Sequence, residues 1–147
     1  MSSQKRILKE LSSIWSQQYP VQQAPNADVE LSGVKRRAFV VHANDLRLWH
    51  VTFRNNANPT VPFTSLHAAI TFPETYPSVP PVVKFFTMLP HPNLVQELDE
   101  ELNTNSRFCM PLLDVNPGSA FSGWSSAIQM PGLLTQIASM IFDSDLM

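Results

Sequence analysis

The sequence predicts a single α+β domain in which an N-terminal and a C-terminal helix pack on an antiparallel sheet. Apolar residues recur at helical spacing near both ends, and the segments between them alternate apolar with polar residues. The chain has 147 residues and is 44% hydrophobic, which is enough for one large core but not for two. We therefore predict one domain over 1–147, with a four-stranded antiparallel meander sheet, an irregular region and a helix packed on the sheet.

The first predicted element is an amphipathic helix over residues 3–16, which Ser2 or Ser3 can cap. Its apolar residues share one face at the i, i+1, i+4, i+7 and i+8 positions: Ile7, Leu8, Leu11, Ile14 and Trp15. The last predicted element is a helix over 131–142 with the same one-face spacing, and Pro131 suits its first turn.

Four segments between the helices have the character of strands. They cover 37–41, 48–53, 66–72 and 82–86. The second and third alternate strictly, which is typical of an antiparallel sheet covered on one side. The NNANP sequence at 55–59 fits a hairpin connection between them.

The fourth predicted strand lies between two proline-rich stretches, 76–81 and 89–93, the second of which ends in His-Pro-Asn. Each proline fixes its own φ and restricts the preceding residue, so both stretches should follow one extended path. We predict that they hold an edge strand rigidly in place.

The region after the prolines is predicted to be irregular. Residues 94–107 contain too many carboxylates for a buried element, and we expect a short surface helix or a mobile loop there. A second loop, at 115–123, combines proline, glycine and serine. The carboxylates of the first segment are Glu97, Asp99, Glu100 and Glu101.

Composition argues against several classes of protein. A net charge of −2 gives no basic field for nucleic acid. No apolar run reaches the length of a membrane span, and the charged start differs from a signal peptide, so we expect an intracellular protein without membrane contact. One cysteine cannot form an internal disulfide, and with four histidines it does not predict a zinc site. We expect neither a metal nor a cofactor.

Several motifs follow one another in a characteristic order. They are FPETYPSVPPVVKFFT at 72–87, HPN at 91–93, RFCMPLL at 107–113 and GWSSA at 123–127. In this order they resemble the ubiquitin-conjugating enzymes, and the resemblance extends from KRILKEL in the first helix to LLTQIASMIFDSD in the last. CMPLL followed by GWSSA is similar to the Q-type branch of that family. The fold that the resemblance implies agrees with the fold predicted from periodicity.

The resemblance implies a thioester relay centred on Cys109. This thiol would accept ubiquitin or a ubiquitin-like protein from an activating enzyme and pass it to a substrate lysine or a ligase, in the cytoplasm, the nucleus or both. Asn93 would donate a hydrogen bond to the oxyanion that forms during transfer. Other implied roles are structural for His91, Pro92 and Trp124, and contact with the activating enzyme for Lys5, Arg6 and Lys9.

Two spacings depart from the family pattern. Asn93 lies 16 positions before Cys109 and Trp124 lies 15 positions after it, whereas ordinary members place both pairs closer. We therefore expect enlarged loops, with the 94–107 loop partly covering Cys109. The chain also stops at Met147, before the last helices of the usual fold, as expected of a fragment or a minimal variant.

Two other interpretations of Cys109 stay open. A cysteine between Phe108 and Met110 is most often a buried small hydrophobe, as it would be in a non-catalytic binding module of the same fold. Only an exposed thiol would label rapidly with iodoacetamide in the folded state. A thiol hydrolase would instead need a histidine base. The sequence context of the four histidines places none of them beside Cys109: His42, His50, His67 and His91.

Overall fold

The computed structural model describes residues 2–18, 38–55, 65–114 and 123–143. These residues form helix α1 (Ser3–Gln18), strands β1 (Phe39–Asp45), β2 (Leu48–Arg54), β3 (Ser65–Thr71), β4 (Val82–Phe85), β5 (Leu94–Asp99) and β6 (Thr104–Phe108), a 3₁₀ turn (Pro111–Leu113) and helix α2 (Met130–Ile141). Within these ranges neither helix combines the length and apolar character that spanning a bilayer requires. Most of the predicted NNANP connection and most of the 115–123 loop lie outside the described residues.

The sheet confirms the α+β class and corrects the predicted number of strands. It has six strands, all paired antiparallel, in the order β1-β2-β3-β4-β6-β5. The prediction of four strands is wrong because β5 and β6 form from the segment predicted to be irregular. The prediction that β4 is an edge strand is also wrong, since β6 pairs with it through Lys84–Arg107 and Phe85–Ser106. The edge on this side of the sheet is β5.

The core lies between one face of the sheet and the two helices. The inward residues of β2 alternate as the sequence predicts, with Trp49, Val51 and Phe53 all fully buried. Residues of α1 and α2 join the same apolar cluster, including Ile7, Ile14, Leu133, Leu134 and Ile137. The opposite face of the sheet is more polar and bears exposed histidines on β1, β2 and β3. The period-two pattern in the sequence therefore identified the buried face correctly.

The segment after Asn93 is a β-hairpin, not a surface helix or a mobile loop. Its turn is stabilised by Asp99, whose Oδ1 accepts backbone hydrogen bonds from Glu101 at 3.0 Å and Leu102 at 3.2 Å. Asn103 closes the turn with a φ of 60°, a left-handed conformation that asparagine tolerates. Local turn chemistry thus folds back a segment that is too polar to form a buried strand by its composition alone.

The acidic residues of β5 are paired with a cation from β4. The Nζ atom of Lys84 lies 2.8 Å from Asp99 Oδ2 and 3.3 Å from Glu97 Oε1. These ion pairs reach across β6, which lies between the two strands. The carboxylates on which the prediction of an irregular surface segment rested therefore help to attach the hairpin to the sheet.

We predict that Asp99 titrates below the usual aspartate range of about 3.9. The hydrogen bond from Lys84 lowers the pKa of Asp99, and backbone N–H donors in the turn lower it further. Because the folded pKa is depressed, the contribution of this carboxylate to stability is present above the unfolded pKa and is lost as the pH falls through the folded pKa. Titration of Asp99 followed by NMR should show the low midpoint, and Lys84→Met should raise it. An equal midpoint in both proteins would contradict the pairing.

A buried carboxylate links the two helices to the loop before β4. Glu10 is 4% exposed, and its Oε2 accepts hydrogen bonds from Arg6 Nε at 3.1 Å and the Tyr76 hydroxyl at 2.6 Å. Its Oε1 accepts from the backbone N–H of Met130 at 2.6 Å, so Glu10 caps the N-terminus of α2 in place of Gln129, whose side chain makes no capping bond. We call Glu10, Arg6, Tyr76 and Met130 the Glu10 junction.

The tyrosine of the Glu10 junction stays protonated. Burial raises the pKa of the Tyr76 hydroxyl above its usual range, and the hydrogen bond to Glu10 raises it further. The hydroxyl therefore remains a donor to the carboxylate, and the loop before β4 is fixed against α1.

Candidate active site around Cys109

The His-Pro-Asn turn is anchored by His91, which is 4% exposed. Its Nδ1 accepts a hydrogen bond from the backbone N–H of Asn93 at 3.0 Å, and its Nε2 lies 2.9 Å from the carbonyl oxygen of Met140. Because a backbone N–H can only donate, the proton of the neutral ring is on Nε2, which donates to the carbonyl. His91 thus attaches the turn to the end of α2, and Pro92 lies exposed between the two hydrogen-bonded residues.

Asn93 and Cys109 are direct hydrogen-bonding partners despite their separation in the sequence. The backbone N–H of Cys109 donates to the carbonyl of Asn93 at 2.7 Å, and Asn93 Nδ2 donates to the carbonyl of Cys109 at 2.9 Å. The hairpin explains this, since its strands begin and end with the pair Leu94 and Phe108. The enlarged spacing is absorbed by the hairpin. The expectation of a 94–107 loop over Cys109 is therefore wrong, because this segment belongs to the sheet.

Cys109 faces away from the core. Its neighbours Phe108 and Met110 are buried, with 2% and 8% of their surface exposed, and successive side chains of an extended chain point to opposite sides. Cys109 itself is half-buried and forms no disulfide. Two positions after it, Pro111 begins the 3₁₀ turn. This arrangement differs from that of a fully buried small hydrophobe, because part of the residue is exposed.

Arg107 lies two positions before Cys109, on β6, and was not identified from the sequence. Hydrogen bonding and charge interaction with the Cys109 side chain raise the pKa of Arg107, and Glu97 also raises it, with its Oε2 lying 3.6 Å from Arg107 Nη1. Residues 107 and 109 lie two apart in an extended segment, so their side chains share one side. That relation could be read from the sequence only if 104–108 were recognised as a strand.

Trp124 is hydrogen-bonded to the end of the 3₁₀ turn and to the loop before β4. Its backbone N–H donates to the carbonyl of Asp114 at 3.0 Å, and its indole Nε1 donates to the carbonyl of Pro77 at 2.7 Å. The ring centroid is 6.1 Å from that of Tyr76. Trp124 therefore fixes residues near the site to the loop before β4, and its structural role is consistent with these contacts.

The three basic residues of α1 differ in availability. Lys5 and Lys9 are exposed. Arg6 is a member of the Glu10 junction, and its Nη2 also donates to the carbonyl of Ile128 at 2.9 Å. Contact with an activating enzyme stays a prediction for all three, and the two lysines are the members with free surface.

No histidine has the geometry of a base for Cys109. Both ring nitrogens of His91 are already hydrogen-bonded, Nδ1 to the backbone N–H of Asn93 and Nε2 to the carbonyl of Met140. The other three lie on β1, β2 and β3, none of which pairs with β6. In the parts of the chain that the structure describes, no group of three or more His, Cys, Asp or Glu is placed to hold a metal ion. This geometry gives no support to a thiol hydrolase.

Comparison with known proteins identifies the family. The sequence model described as ubiquitin-conjugating enzyme matches residues 28–146. The chain belongs to the ubiquitin-conjugating enzyme family. It is 27% identical over 101 residues to ubiquitin-conjugating enzyme E2 2 of Mycosarcoma maydis, covering 69% of this chain and 46% of that protein. It is 30% identical over 89 residues to ubiquitin-conjugating enzyme E2 6 of Candida glabrata, covering 59% and 31%. The chain thus spans less than half the length of either relative.

Solved structures of ubiquitin-conjugating enzymes share the fold. Human ubiquitin-conjugating enzyme E2 G1 aligns with a TM-score of 0.60 at 23% identity, covering 93% of this chain and 92% of that one. A ubiquitin-conjugating enzyme E2 from Plasmodium falciparum aligns with a TM-score of 0.58 at 20% identity, covering 97% and 86%. The resemblance to the family is therefore confirmed, whereas the Q-type branch stays a prediction.

Proposed function

We propose that this chain accepts ubiquitin, or a ubiquitin-like protein, as a thioester on Cys109 and transfers it to a lysine amine or to a ligase. The main observation in favour is the pair of hydrogen bonds between Asn93 and Cys109, which joins a carboxamide donor to the backbone of a half-buried cysteine. Family membership supports the same reaction.

Charging exchanges one thioester for another at Cys109. The thiolate attacks the carbonyl carbon of the modifier's C-terminal thioester on the activating enzyme, whose sulfur leaves. In transfer, a neutral lysine amine attacks the same carbon, an amide bond forms, and the carbon–sulfur bond breaks. The extra proton on nitrogen passes to solvent. The reaction at Cys109 requires no cofactor, because the thioester is already activated and ATP is consumed by the activating enzyme.

Asn93 is the proposed donor to the oxyanion that each attack creates. Its Nδ2 donates to the Cys109 carbonyl in the uncharged chain, and rotation of the side chain would turn this donor toward the new oxyanion. The backbone of Asn93 is fixed by its hydrogen bonds to His91 and Cys109. Only the carboxamide therefore has to move, which keeps the cost of reorganisation low.

The proposed reaction defines the partners and favours a reducing compartment. The partners are ubiquitin or a ubiquitin-like protein, an activating enzyme, a ligase and a protein substrate with an accessible lysine. A reactive free thiol is maintained most readily where glutathione and thioredoxin keep cysteines reduced. We therefore propose that the protein acts in the cytoplasm, the nucleus or both.

A charging assay tests the proposal. The purified chain is incubated with activating enzyme, ATP and ubiquitin and then run on a gel with and without reductant. Its matched control is the same chain blocked with N-ethylmaleimide, which modifies only Cys109 because the sequence has one cysteine. We expect a reductant-sensitive band of added ubiquitin mass that is absent from the blocked chain.

The other outcomes of the assay are also informative. A band that forms with a ubiquitin-like protein but not with ubiquitin would identify the modifier. Failure with all of them, together with a thiol that does not react with iodoacetamide in the folded state, would overturn the proposal. The chain would then be a non-catalytic binding module with an enzyme's fold.

A further inference from the structure

We propose that the outer edge of β5 binds an extended, basic segment of the substrate as an added antiparallel strand and so brings the acceptor lysine to Cys109. This inference rests on the proposed function, since it names the class of substrate that the thioester on Cys109 would modify. It is carried by the pairing within the hairpin, by the side chains exposed along β5 and by the position of that strand directly after Asn93.

The outer edge of β5 has backbone groups available for pairing. Within the described residues β5 is the last strand of the sheet, and β6 pairs with only one of its two edges. Asn93 and Cys109 form a hydrogen-bonded pair of this ladder, through the Cys109 N–H and the Asn93 carbonyl at 2.7 Å. Hydrogen-bonded and non-hydrogen-bonded pairs alternate, and the Leu94 N–H accordingly donates to the carbonyl of His91 at 3.1 Å. By the same alternation Gln96 directs its N–H and its carbonyl away from β6.

The register along β5 gives the position of the acceptor lysine. Val95 pairs with Arg107 on the side of the chain that faces away from the core, which is also the side of Cys109, and it is 50% exposed. A substrate residue opposite Asn93 shares this side, because it lies two positions from the residue opposite Val95. Cys109 is two strand spacings from that residue, about 10 Å, a gap that a lysine and a cysteine side chain can bridge together. We therefore expect the lysine opposite Asn93 and an apolar residue two positions before it.

The charge of the hairpin favours a basic partner. Its turn presents Glu100 and Glu101, which are exposed and form no ion pair with any other described residue. Because β5 has six residues and every pairing of the sheet is antiparallel, basic side chains that meet this turn precede the lysine by about six positions. A second copy of this chain is a poor occupant, since pairing β5 with itself would bring two sets of carboxylates together.

Two peptides of identical composition test the inference on the wild-type chain. Each has a single lysine, a run of arginines and a spacer of about five threonines and valines, which favour an extended strand. The arginines precede the lysine in the first peptide and follow it in the second. Fluorescence anisotropy measures binding to the uncharged protein at low ionic strength, and we expect the first peptide to bind about three- to tenfold more tightly. Equal affinities, or tighter binding of the second peptide, would overturn the inference.

Variants show whether the peptide uses the strand edge and the turn. Gln96→Pro removes an N–H directed away from β6, at a position where an edge strand tolerates proline, and we expect about three- to tenfold weaker binding of the first peptide. Its matched control, Gln96→Ala, keeps the N–H and should follow wild type. Glu100→Lys combined with Glu101→Lys should abolish the preference for the first peptide, whereas Glu74→Lys, on the loop before β4, should retain it. Wild-type affinity in Gln96→Pro, or an unchanged preference in the double variant, would contradict docking on β5.

Single-turnover discharge separates this inference from the proposed function. At low peptide concentration the charged chain should lose its modifier faster to the first peptide than to the second, by the factor found in binding. Equal discharge to both peptides would refute the inference and leave the proposed function intact. A chain that never charges would refute the proposed function, while binding to the uncharged protein still decides whether β5 accepts a basic segment. The comparison of the two peptides needs no variant, so it stays decisive if Gln96→Pro fails to fold.

Discussion

Replacing Asn93 with alanine is expected to slow transfer of the modifier to free lysine by about 10²- to 10³-fold, the range for losing one oxyanion donor. The thioester band itself should still form, because Cys109 remains and thiolate attack on a thioester has a good leaving group. The measurement is single-turnover discharge of the charged chain, with thioester formation followed separately on non-reducing gels.

The control for Asn93→Ala is a second asparagine that makes the same kind of bond. The side chain of Asn105 donates to the carbonyl of Phe86 at 2.7 Å, within the same hairpin. Removing either side chain should cost about 0.5–1.5 kcal/mol of stability through the lost hydrogen bond. Only the loss at Asn93 should slow transfer. Equal discharge rates for Asn93→Ala and wild type, or an equal defect in Asn105→Ala, would show that Asn93 is structural.

The sequence predicted those helices and strands whose apolar residues recur at helical or strand spacing. Trp49, Val51 and Phe53 alternate on β2, and that strand matches the prediction closely. On β6 the inward residues include Thr104 and Ser106, which are 1% and 0% exposed. A strand whose inward residues carry hydroxyl groups shows no alternation of apolar and polar residues, so the sequence did not predict the hairpin. Because the hairpin was missed, the internal position of β4 was missed as well.

The parts of the candidate site found from the sequence are those that belong to motifs. The order of HPN and RFCMPLL identified Asn93 and Cys109 as candidates, but it could not show that they are hydrogen-bonded to each other. Their proximity depends on the turn at Asp99 and Asn103 and on pairing that motif spacing does not encode. Arg107 was missed for the same reason, since its place on the same side of the chain as Cys109 follows from β6.

The Glu10 junction is invisible to any local pattern. Arg6 and Glu10 look like an exposed i, i+4 pair on a helix, a type of pair that stabilises isolated helices by only about 0.2–0.5 kcal/mol. The other partners of Glu10 lie far away in the sequence, at Tyr76 and Met130. In the folded protein the pair is part of a buried junction between α1, α2 and the loop before β4. It should therefore contribute more to the free energy of unfolding than an exposed pair does.

Glu10→Ala is expected to reduce the free energy of unfolding by about 3–5 kcal/mol, the usual cost of removing one member of a buried ion pair. The substitution leaves Arg6 without its carboxylate, and it deprives the Tyr76 hydroxyl and the Met130 N–H of their acceptor. It also removes the cap of α2, whose far end holds His91 through Met140. Urea denaturation at unchanged m-value measures the loss.

Two comparisons separate a buried junction from an ordinary surface charge. Glu74→Ala removes an exposed glutamate and should change stability by no more than about 0.5 kcal/mol. The double variant Arg6→Met with Glu10→Leu replaces the ion pair by apolar groups of similar size and should recover part of the loss, because it leaves no buried charge unpaired. If Glu10→Ala were as stable as Glu74→Ala, the junction would contribute nothing to holding α1 against α2. If the double variant were less stable than Glu10→Ala, the cost would lie in lost hydrogen bonds rather than in the unpaired charge of Arg6.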